Sequence, residues 1–422
     1  MRRYKEPVKT ALLLLLTLSA AFLAWRGNLF AGLFPGAEPP ASPAQEEILS
    51  CQPAALPAEA ALTGLSGLRY GVKYDEGGMS SLFDACSPLL AEALGSAEEP
   101  APISEEVWRS RLGGAGLYLN YGFSLPLSVL AAWAGGEAAW AGSRTATALL
   151  LMSDGDDGIR LCFRSGEGTY YSGGTASSWL SLQELLNAFF PNGAAFAFEL
   201  PELGDCDPDS LVLEEPPTPR SATASGSQAE AAAALAEQFG INLSGQSRYS
   251  EADGTLVYPG EGGVLRLDAE GTVSYTASEG KLGGASGTAE QVEAVRRLLW
   301  SVHDACAGDE KLALTDLRRE EGVLRLSFAY VLDGIPVQLN AGPAASAEWG
   351  PEGFRELTVL PRRYRRGETG LSLLPEKQAA AAAGSLYPGS SVRLILSDRG
   401  ERSPELIWAV TLEGRLLWTQ EG

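Results

Sequence analysis

A basic stub followed by an unbroken apolar run constrains this chain more than any other feature. The run covers residues 10–25 (TALLLLLTLSAAFLAW), and its extension over 8–30 approaches the roughly 17–25 residues that a membrane-spanning helix needs. Lys9 and Arg26 stand where their charged groups can reach the headgroups, and Trp25 suits the membrane interface. We therefore predict a single-pass transmembrane anchor within 8–30.

The distribution of charge predicts the orientation of this anchor. Residues 1–26 contain five basic side chains and one acidic one, a net charge of +4, which leaves −25 for the rest of a chain whose total is −21. Positive residues before a span favour a cytoplasmic amino terminus. The predicted location is the cell membrane, with the bulk of the chain extracytoplasmic. So acidic a region would repel phosphate backbones, so nucleic acid is not an expected partner.

A cleaved signal peptide is the competing interpretation of the same residues. Small residues at 19–21 and 21–24 resemble cleavage sites. However, the bulky pair Trp25-Arg26 follows at once and apolar residues continue through Phe34. These features favour an anchor that is retained.

Composition shifts predict five segments. Pro, Ala and Glu dominate one stretch after the anchor, and Pro, Ser and Thr crowd a second one near the middle, as is typical of tethers and linkers. The predicted organisation is a stub and anchor at 1–30, a tether at 31–60, a middle α+β domain at 61–213, a linker at 214–228 and a carboxy-terminal α+β domain at 229–422.

Local patterns predict the elements of the middle domain. Residues 104–112 form a helix with Ser104 as its N-cap, and 182–190 form a second helix. Alternating or continuous apolar runs predict strands at 116–121, 146–153, 159–164 and 194–200.

Start and stop signals predict three helices in the carboxy-terminal domain. A capping box from Ser227 to Glu230 opens a helix that ends at Gly240, Thr288 and Gln291 open a helix over 289–306, and a third lies between Pro375 and Gly384. In the middle helix one stripe is predicted to be buried, while Glu293, Arg296 and Arg297 face water. The members of this stripe are Val292, Val295, Leu299, Val302 and Cys306.

Each of these helices is followed by predicted antiparallel strands, and two strand sets look alike. Residues 327–337 and 406–417 each end an apolar strand on an acidic residue and a glycine, Asp333-Gly334 and Glu413-Gly414. A helix-plus-strands unit repeated two or three times predicts an α+β fold. The repeats are similar to small PepSY-like modules, a resemblance that implies binding or inhibition.

The opening RYKEPVKTALLLLLTLSAAFLAW and the segment 322–360, with VLDGIPVQLN and GFRELTVLP, resemble the YycH/YycI family of Gram-positive membrane proteins. The resemblance implies a non-catalytic regulator of a two-component system, which modulates an essential membrane sensor histidine kinase by protein–protein contact. It also implies a paralogous anchored regulator as a second partner. No residue is carried over from the family as a site.

Few residues are candidates for chemistry. His303 is the one histidine, lies at the edge of the predicted buried stripe and has no accompanying nucleophile motif, so a structural role is expected. Asp205, Asp207 and Asp209 alternate like calcium ligands, but Ser210 replaces the required glycine. A second acidic turn contains Asp154, Asp156 and Asp157, and we expect both groups to be solvated turn carboxylates.

The five cysteines lack metal-binding spacing, and we predict that they are small buried apolar side chains: Cys51, Cys86, Cys162, Cys206 and Cys306. We accordingly assign no catalytic, cofactor-binding or metal residue and expect no cofactor and no enzymatic activity. Two alternatives remain open. A cell-envelope hydrolase would need two carboxylates in one cleft. A secreted binding or inhibitor module would need cleavage after residues 20–24.

Overall fold

The computed structural model describes residues 53–155, 158–215, 218–245, 247–278, 285, 287–306, 308–412 and 415–417. The predicted anchor, Cys51, Asp156, Asp157 and the Glu413-Gly414 turn lie outside these ranges. Within them, no helix is both long and apolar enough to cross a bilayer.

Residues 54–422 cluster as one unit. The domain boundaries remain predictions, although a strand at 220–226 lies inside the predicted linker.

The first half is built on an antiparallel sheet of seven strands in the order β2-β1-β4-β5-β6-β7-β3. Its strands are β1 (Glu59–Thr63), β2 (Arg69–Val72), β3 (Ala101–Ile103), β4 (Gly116–Pro126), β5 (Thr145–Ser153), β6 (Gly158–Arg164) and β7 (Tyr170–Ser178). The helices of this half are α1 (Glu76–Ser96), α2 (Glu105–Leu112), α3 (Leu127–Trp133) and α4 (Trp179–Ala188).

Both faces of this sheet are covered, which explains why β5 is a continuous apolar run. Leu149 and Leu151 point to the large core beneath α1, whereas Leu150 packs on the opposite face with Trp108 of α2. Successive side chains of a strand alternate between faces, so burial on both sides requires apolar residues at every position.

The second half contains β8 (Ala195–Phe196), β9 (Leu211–Val212), β10 (Arg220–Gly226), β11 (Tyr249–Ser250), β12 (Leu256–Gly260), β13 (Gly263–Leu267), β14 (Val273–Ala277), β15 (Lys311–Glu320), β16 (Val323–Leu332), β17 (Ile335–Leu339), β18 (Ala345–Gly350), β19 (Gly353–Val359), β20 (Arg362–Gly370), β21 (Ser391–Asp398), β22 (Glu405–Leu412) and β23 (Arg415–Leu417). Its helices are α5 (Gln228–Gln238), α6 (Thr288–Cys306) and α7 (Glu376–Leu386).

Twelve of these strands form one large sheet, while β10 and β20 form a separate two-stranded ribbon. In the large sheet β15 pairs with β16, and β17 joins β21 through a parallel register from Val337 to Leu339. Helices α6 and α7 are each followed directly by the predicted pair of antiparallel strands, β15 with β16 and β21 with β22, although four more strands, β17 to β20, follow the first pair. The α+β fold class is confirmed.

Several local predictions are confirmed in detail. Ser104 caps α2 by accepting the backbone N–H of Val107 at 3.3 Å. The predicted stripe of α6 is buried from Val292 to Cys306. The four described cysteines are buried and unpaired: Cys86, Cys162, Cys206 and Cys306.

Four local predictions are wrong: the strand at 194–200, the end of α7, the capping box of α5 and the exposure of Glu293 and Arg296. Residues 194–200 form only the short strand β8 and then a 3-10 turn, because the Glu199 carboxylate accepts the Phe196 N–H at 2.9 Å and bends the chain. Helix α7 runs past Gly384 to Leu386, and the glycine instead permits close approach, since a Cβ there would lie 2.8 Å from the Cys206 Sγ.

Ser227 is the N-cap of α5, but its side chain makes no capping bond. Its capping-box partner Glu230 instead lies 3.4 Å from Arg363. On α6, Glu293 is half-buried and does not face water fully, because the Trp133 indole donates a hydrogen bond to it at 3.3 Å. Arg296, also predicted to face water, is half-buried as well.

Candidate functional site

A buried ionic cluster joins the first sheet to α7. Lys73 follows β2 and its Nζ lies 2.8 Å from the Glu376 carboxylate, 3.3 Å from the Glu59 carboxylate and 2.7 Å from the Leu211 carbonyl oxygen. Glu376 also accepts the Leu213 N–H at 3.0 Å. Burial of charge is tolerable here because both carboxylates meet the same ammonium group and have further hydrogen-bond donors.

The electrostatics of this cluster favour a charged lysine. Burial is the largest single effect and would lower the pKa of Lys73, but the combined attraction of Glu376, Tyr74 and Glu59 outweighs it, and the net pKa lies above the usual lysine range. Burial raises the pKa of the neighbouring Tyr74 hydroxyl to about 12. The cluster therefore acts as a permanent ionic lock at neutral pH. A cavity with room for about one water molecule lies beside it.

Strained backbone lies next to the lock. Tyr74 has a positive φ of 56°, which is unfavourable for a bulky side chain. Its hydroxyl accepts the N–H of Leu394 in β21 at 3.0 Å, so the strained residue is tied to the second half of the protein. The β16–β17 turn also approaches it, because a Cβ on Gly334 would lie 2.8 Å from the Asp75 nitrogen. Strain held by several contacts marks this junction as a candidate functional element.

The alternating aspartates do not meet around a common centre. No metal-binding group of three or more His, Cys, Asp or Glu side chains occurs among the described residues. The prediction of a solvated turn carboxylate is wrong for Asp209, which is buried, accepts a hydrogen bond from the Trp108 indole at 2.8 Å and lies 3.6 Å from Arg164. Burial, reinforced by the charge of Asp207, raises the pKa of Asp209 to about 6. Because its carboxylate is enclosed, Asp209 is poorly placed to contact a substrate.

His303 lies in the last turn of α6 and is mostly buried. Its Nδ1 is 3.7 Å from an oxygen of Glu310, a carboxylate with no exposed surface. Glu310 was not predicted from the sequence, because nothing in its local pattern distinguishes it from a solvated turn residue. Lys73, Glu59 and Glu376 were not predicted either, although a lysine between apolar residues in RYGVKYD offers a weak signal.

The fold and the lock define a class: an α+β protein in which buried ionic contacts join the first sheet to α7, and a hydrogen bond from the Leu394 N–H to the Tyr74 hydroxyl joins the same region to β21. A scan against models of known protein families found no match, and a search of curated proteins found none either. Among solved structures, the crystal structure of YycH from Bacillus subtilis matches with a TM-score of 0.51 and 12% sequence identity, covering 87% of this chain and 96% of that one. The chain therefore has a YycH-like fold, which confirms at the level of structure the resemblance seen in its sequence.

Proposed function

We propose that this protein is a membrane-anchored extracytoplasmic regulator that modulates a sensor histidine kinase by direct contact. The observation that carries the proposal is the YycH-like fold, which extends over 87% of the chain. A match of that extent concerns the whole architecture and not one common motif. The retained anchor and the cytoplasmic amino terminus are part of the proposal and rest on the charge pattern of residues 1–26.

The chemistry of the described residues is compatible with a binding role. The ionised groups in the lock around Lys73 and the carboxylate of Asp209 are buried, and each is paired with another residue of this chain. The exposed groups are strongly acidic overall, which favours partners or surfaces with basic groups.

The topology can be tested on intact cells or protoplasts. We expect added protease to degrade the acidic region while the mature protein retains residues 1–25. A mature amino terminus mapped between Ala20 and Trp25 would show that the segment is a signal peptide and that the anchor proposal is wrong.

Kinase modulation can be tested by purifying the full-length chain in detergent from its native membrane. We expect a sensor histidine kinase to co-purify and its autophosphorylation to change when the chain is added back to reconstituted vesicles. If no kinase is enriched over an unrelated single-pass protein, and no kinase output changes on deletion of the chain, the proposal fails.

A matched pair of variants locates the contact. Thr17 and Ala21 lie on a face of small residues in the predicted anchor, and such faces favour helix association in lipid. Thr17→Leu with Ala21→Leu should reduce co-purification, whereas Leu15→Ile with Ser19→Ala, on the opposite face, should not. If neither pair has an effect, the extracytoplasmic region alone makes the contact.

A further inference from the structure

We propose that His303 and Glu310 form a proton-operated latch, which fastens α6 to the β10–β20 ribbon when one proton is added to the pair. This inference is independent of the proposed function, because it concerns contacts within the described chain. It starts from two atoms, the His303 Nδ1 and the Glu310 Oε1, which are 3.7 Å apart. Both atoms are buried, and neither has a hydrogen-bond partner among the described residues.

At 3.7 Å the two atoms are too far apart for a hydrogen bond. The neutral imidazole carries a single proton, and when that proton is on Nε2 the Nδ1 and the carboxylate oxygen are both acceptors, which repel each other. An added proton places a hydrogen on both ring nitrogens, so that Nδ1 is always a donor, and a movement of less than about 1 Å brings the atoms to a charge-assisted hydrogen-bond distance. Imidazole side chains in general change charge between about pH 5 and pH 8, so measurements near pH 5.5 and near pH 7.5 test the proposal.

The groups around the pair show which side chains can share the added proton. Among the described residues, His303 is the basic side chain within 4.0 Å of the Glu310 carboxylate. Arg363 of β20 lies 3.4 Å from Glu230 of α5. The position of His303 in the last turn of α6 further favours a cation through the helix dipole. The other titratable, charged or polar groups near the pair are Cys306 of α6, Ser227 and Glu230 at the start of α5, Tyr330 of β16, and Arg362, Arg363 and the Tyr364 N–H of β20.

Protonation of the pair can affect the β10–β20 ribbon, because residues 309 and 310 are hydrogen-bonded to β20. Its second oxygen accepts the Tyr364 N–H at 2.8 Å, and Asp309 donates its N–H to the Tyr364 carbonyl oxygen at 2.9 Å. Asp309 also accepts the Arg366 N–H at 2.9 Å. Glu310 is therefore fixed to β20 on one side and faces His303 on the other, so the added bond would join α6 to the ribbon.

Hydrogen exchange of the full-length protein measures this latch directly. After correction for intrinsic rates, the Tyr364 and Arg366 amides should exchange about tenfold more slowly near pH 5.5 than near pH 7.5, because a hydrogen bond to a charged group is worth a factor of at least that order. The Leu149 amide of the first sheet serves as a reference, so that a change in global stability is not mistaken for the latch.

Two variants and a control decide the outcome. His303→Gln should abolish the pH response at Tyr364 and Arg366, and Glu310→Gln should do the same if it folds. Asp304→Asn, which changes the exposed acidic neighbour of the histidine, should keep the response. Persistence of the full response in His303→Gln, or its absence in the unmodified protein, would overturn the proposal.

Because the chain has one histidine, selective ¹⁵N-histidine labelling of an untagged protein gives a single pair of ring signals. At low pH we expect the Nδ1 signal to show a hydrogen-bonded proton, and Glu310→Gln should remove that signature. A ring that stays freely solvated at low pH contradicts the latch.

Discussion

Lys73 and Glu376 are separated by 303 positions in the sequence, yet their charged atoms lie 2.8 Å apart in the interior of the protein. Lys73 belongs to the segment that leaves the first sheet, and Glu376 opens α7 in the second half. A contact between such distant segments makes the two halves dependent on each other for stability. Either charged group, if buried without the other, would carry a large and uncompensated desolvation cost.

The first prediction concerns this pair. Glu376→Gln should lower the free energy of unfolding by about 3 kcal/mol or more, since it leaves a buried ammonium group with a weakened partner. The joint replacement Lys73→Met, Glu376→Leu and Glu59→Gln should cost much less, because it removes the ammonium group together with both carboxylates that it pairs with. Urea denaturation of the purified protein measures both values, with Glu348→Gln, at an exposed ion pair with Arg325, as the control that changes stability little. A triple variant as unstable as the single one would show that packing, and not charge, accounts for the loss.

Local pattern predicted many of the elements, but it missed α1 (Glu76–Ser96) and did not predict the contacts between elements. The buried stripe of α6 from Val292 to Cys306 follows directly from helical periodicity, which nearby residues encode. Lys73 carries no such signal, because its partners come from β1 and α7 and are brought together only by the fold. Glu310 is similar: it lies seven positions after His303, but only the turn that follows α6 directs it back.

The wrong predictions at residues 194–200 and at Gly384 also arise from side-chain contacts that the local pattern does not show. Residues 194–200 have the composition of a strand, but the Glu199 side chain competes for the Phe196 N–H and ends it early. Gly384 looks like a helix stop, but its function depends on Cys206, which is far away in sequence.

The second prediction separates strain from close packing at glycine. Gly334 and Gly389 have nearly the same φ, 81° and 82°, but only Gly334 faces neighbouring backbone, whereas Gly389 faces open space. Gly389→Ala should cost about 1 kcal/mol, the conformational term alone. Gly334→Ala should cost clearly more, because its Cβ would collide with Asp75 and force the β16–β17 turn away from α1. Thermal or urea unfolding measures the difference, and equal costs would show that the turn moves freely.

The third prediction concerns Asp209 and acid. Its pKa is about 6 in the folded protein and near 3.8 when unfolded. A raised carboxyl pKa gives stability that is complete below the unfolded value and is lost as the pH rises through the folded value. Between pH 7 and pH 5 the protein should therefore gain about 1 kcal/mol from this residue.

Asp209→Asn keeps the shape and an acceptor for the Trp108 indole but removes the titration. We expect the variant to match or exceed the original protein in stability near pH 7 and to lack this part of the gain at pH 5. Denaturation curves at several pH values provide the measurement. A variant that is less stable at every pH would mean that the ion pair with Arg164 outweighs the cost of burial.

The fourth prediction concerns Asn192, which closes the outer edge of the first sheet. Its side-chain amide accepts the Gly71 N–H at 2.9 Å and donates to the Gly71 carbonyl oxygen at 2.7 Å, while its own N–H reaches the Arg69 carbonyl oxygen at 3.0 Å. The asparagine thus satisfies the β2 edge as a neighbouring strand would. Unsatisfied edges promote pairing between molecules.

Asn192→Ala should cost about 1–2 kcal/mol from the two lost side-chain bonds and should increase self-association. Exposed apolar side chains near this edge, Leu68 and Phe190, would strengthen such contacts. Asn187→Ala, at an exposed position of α4, is the matched control and should change neither property. Sedimentation velocity over a range of concentrations, combined with urea unfolding, distinguishes the outcomes. A variant that loses stability but stays monomeric would show that the loop of Pro191 and Gly193 still shields the edge without the amide.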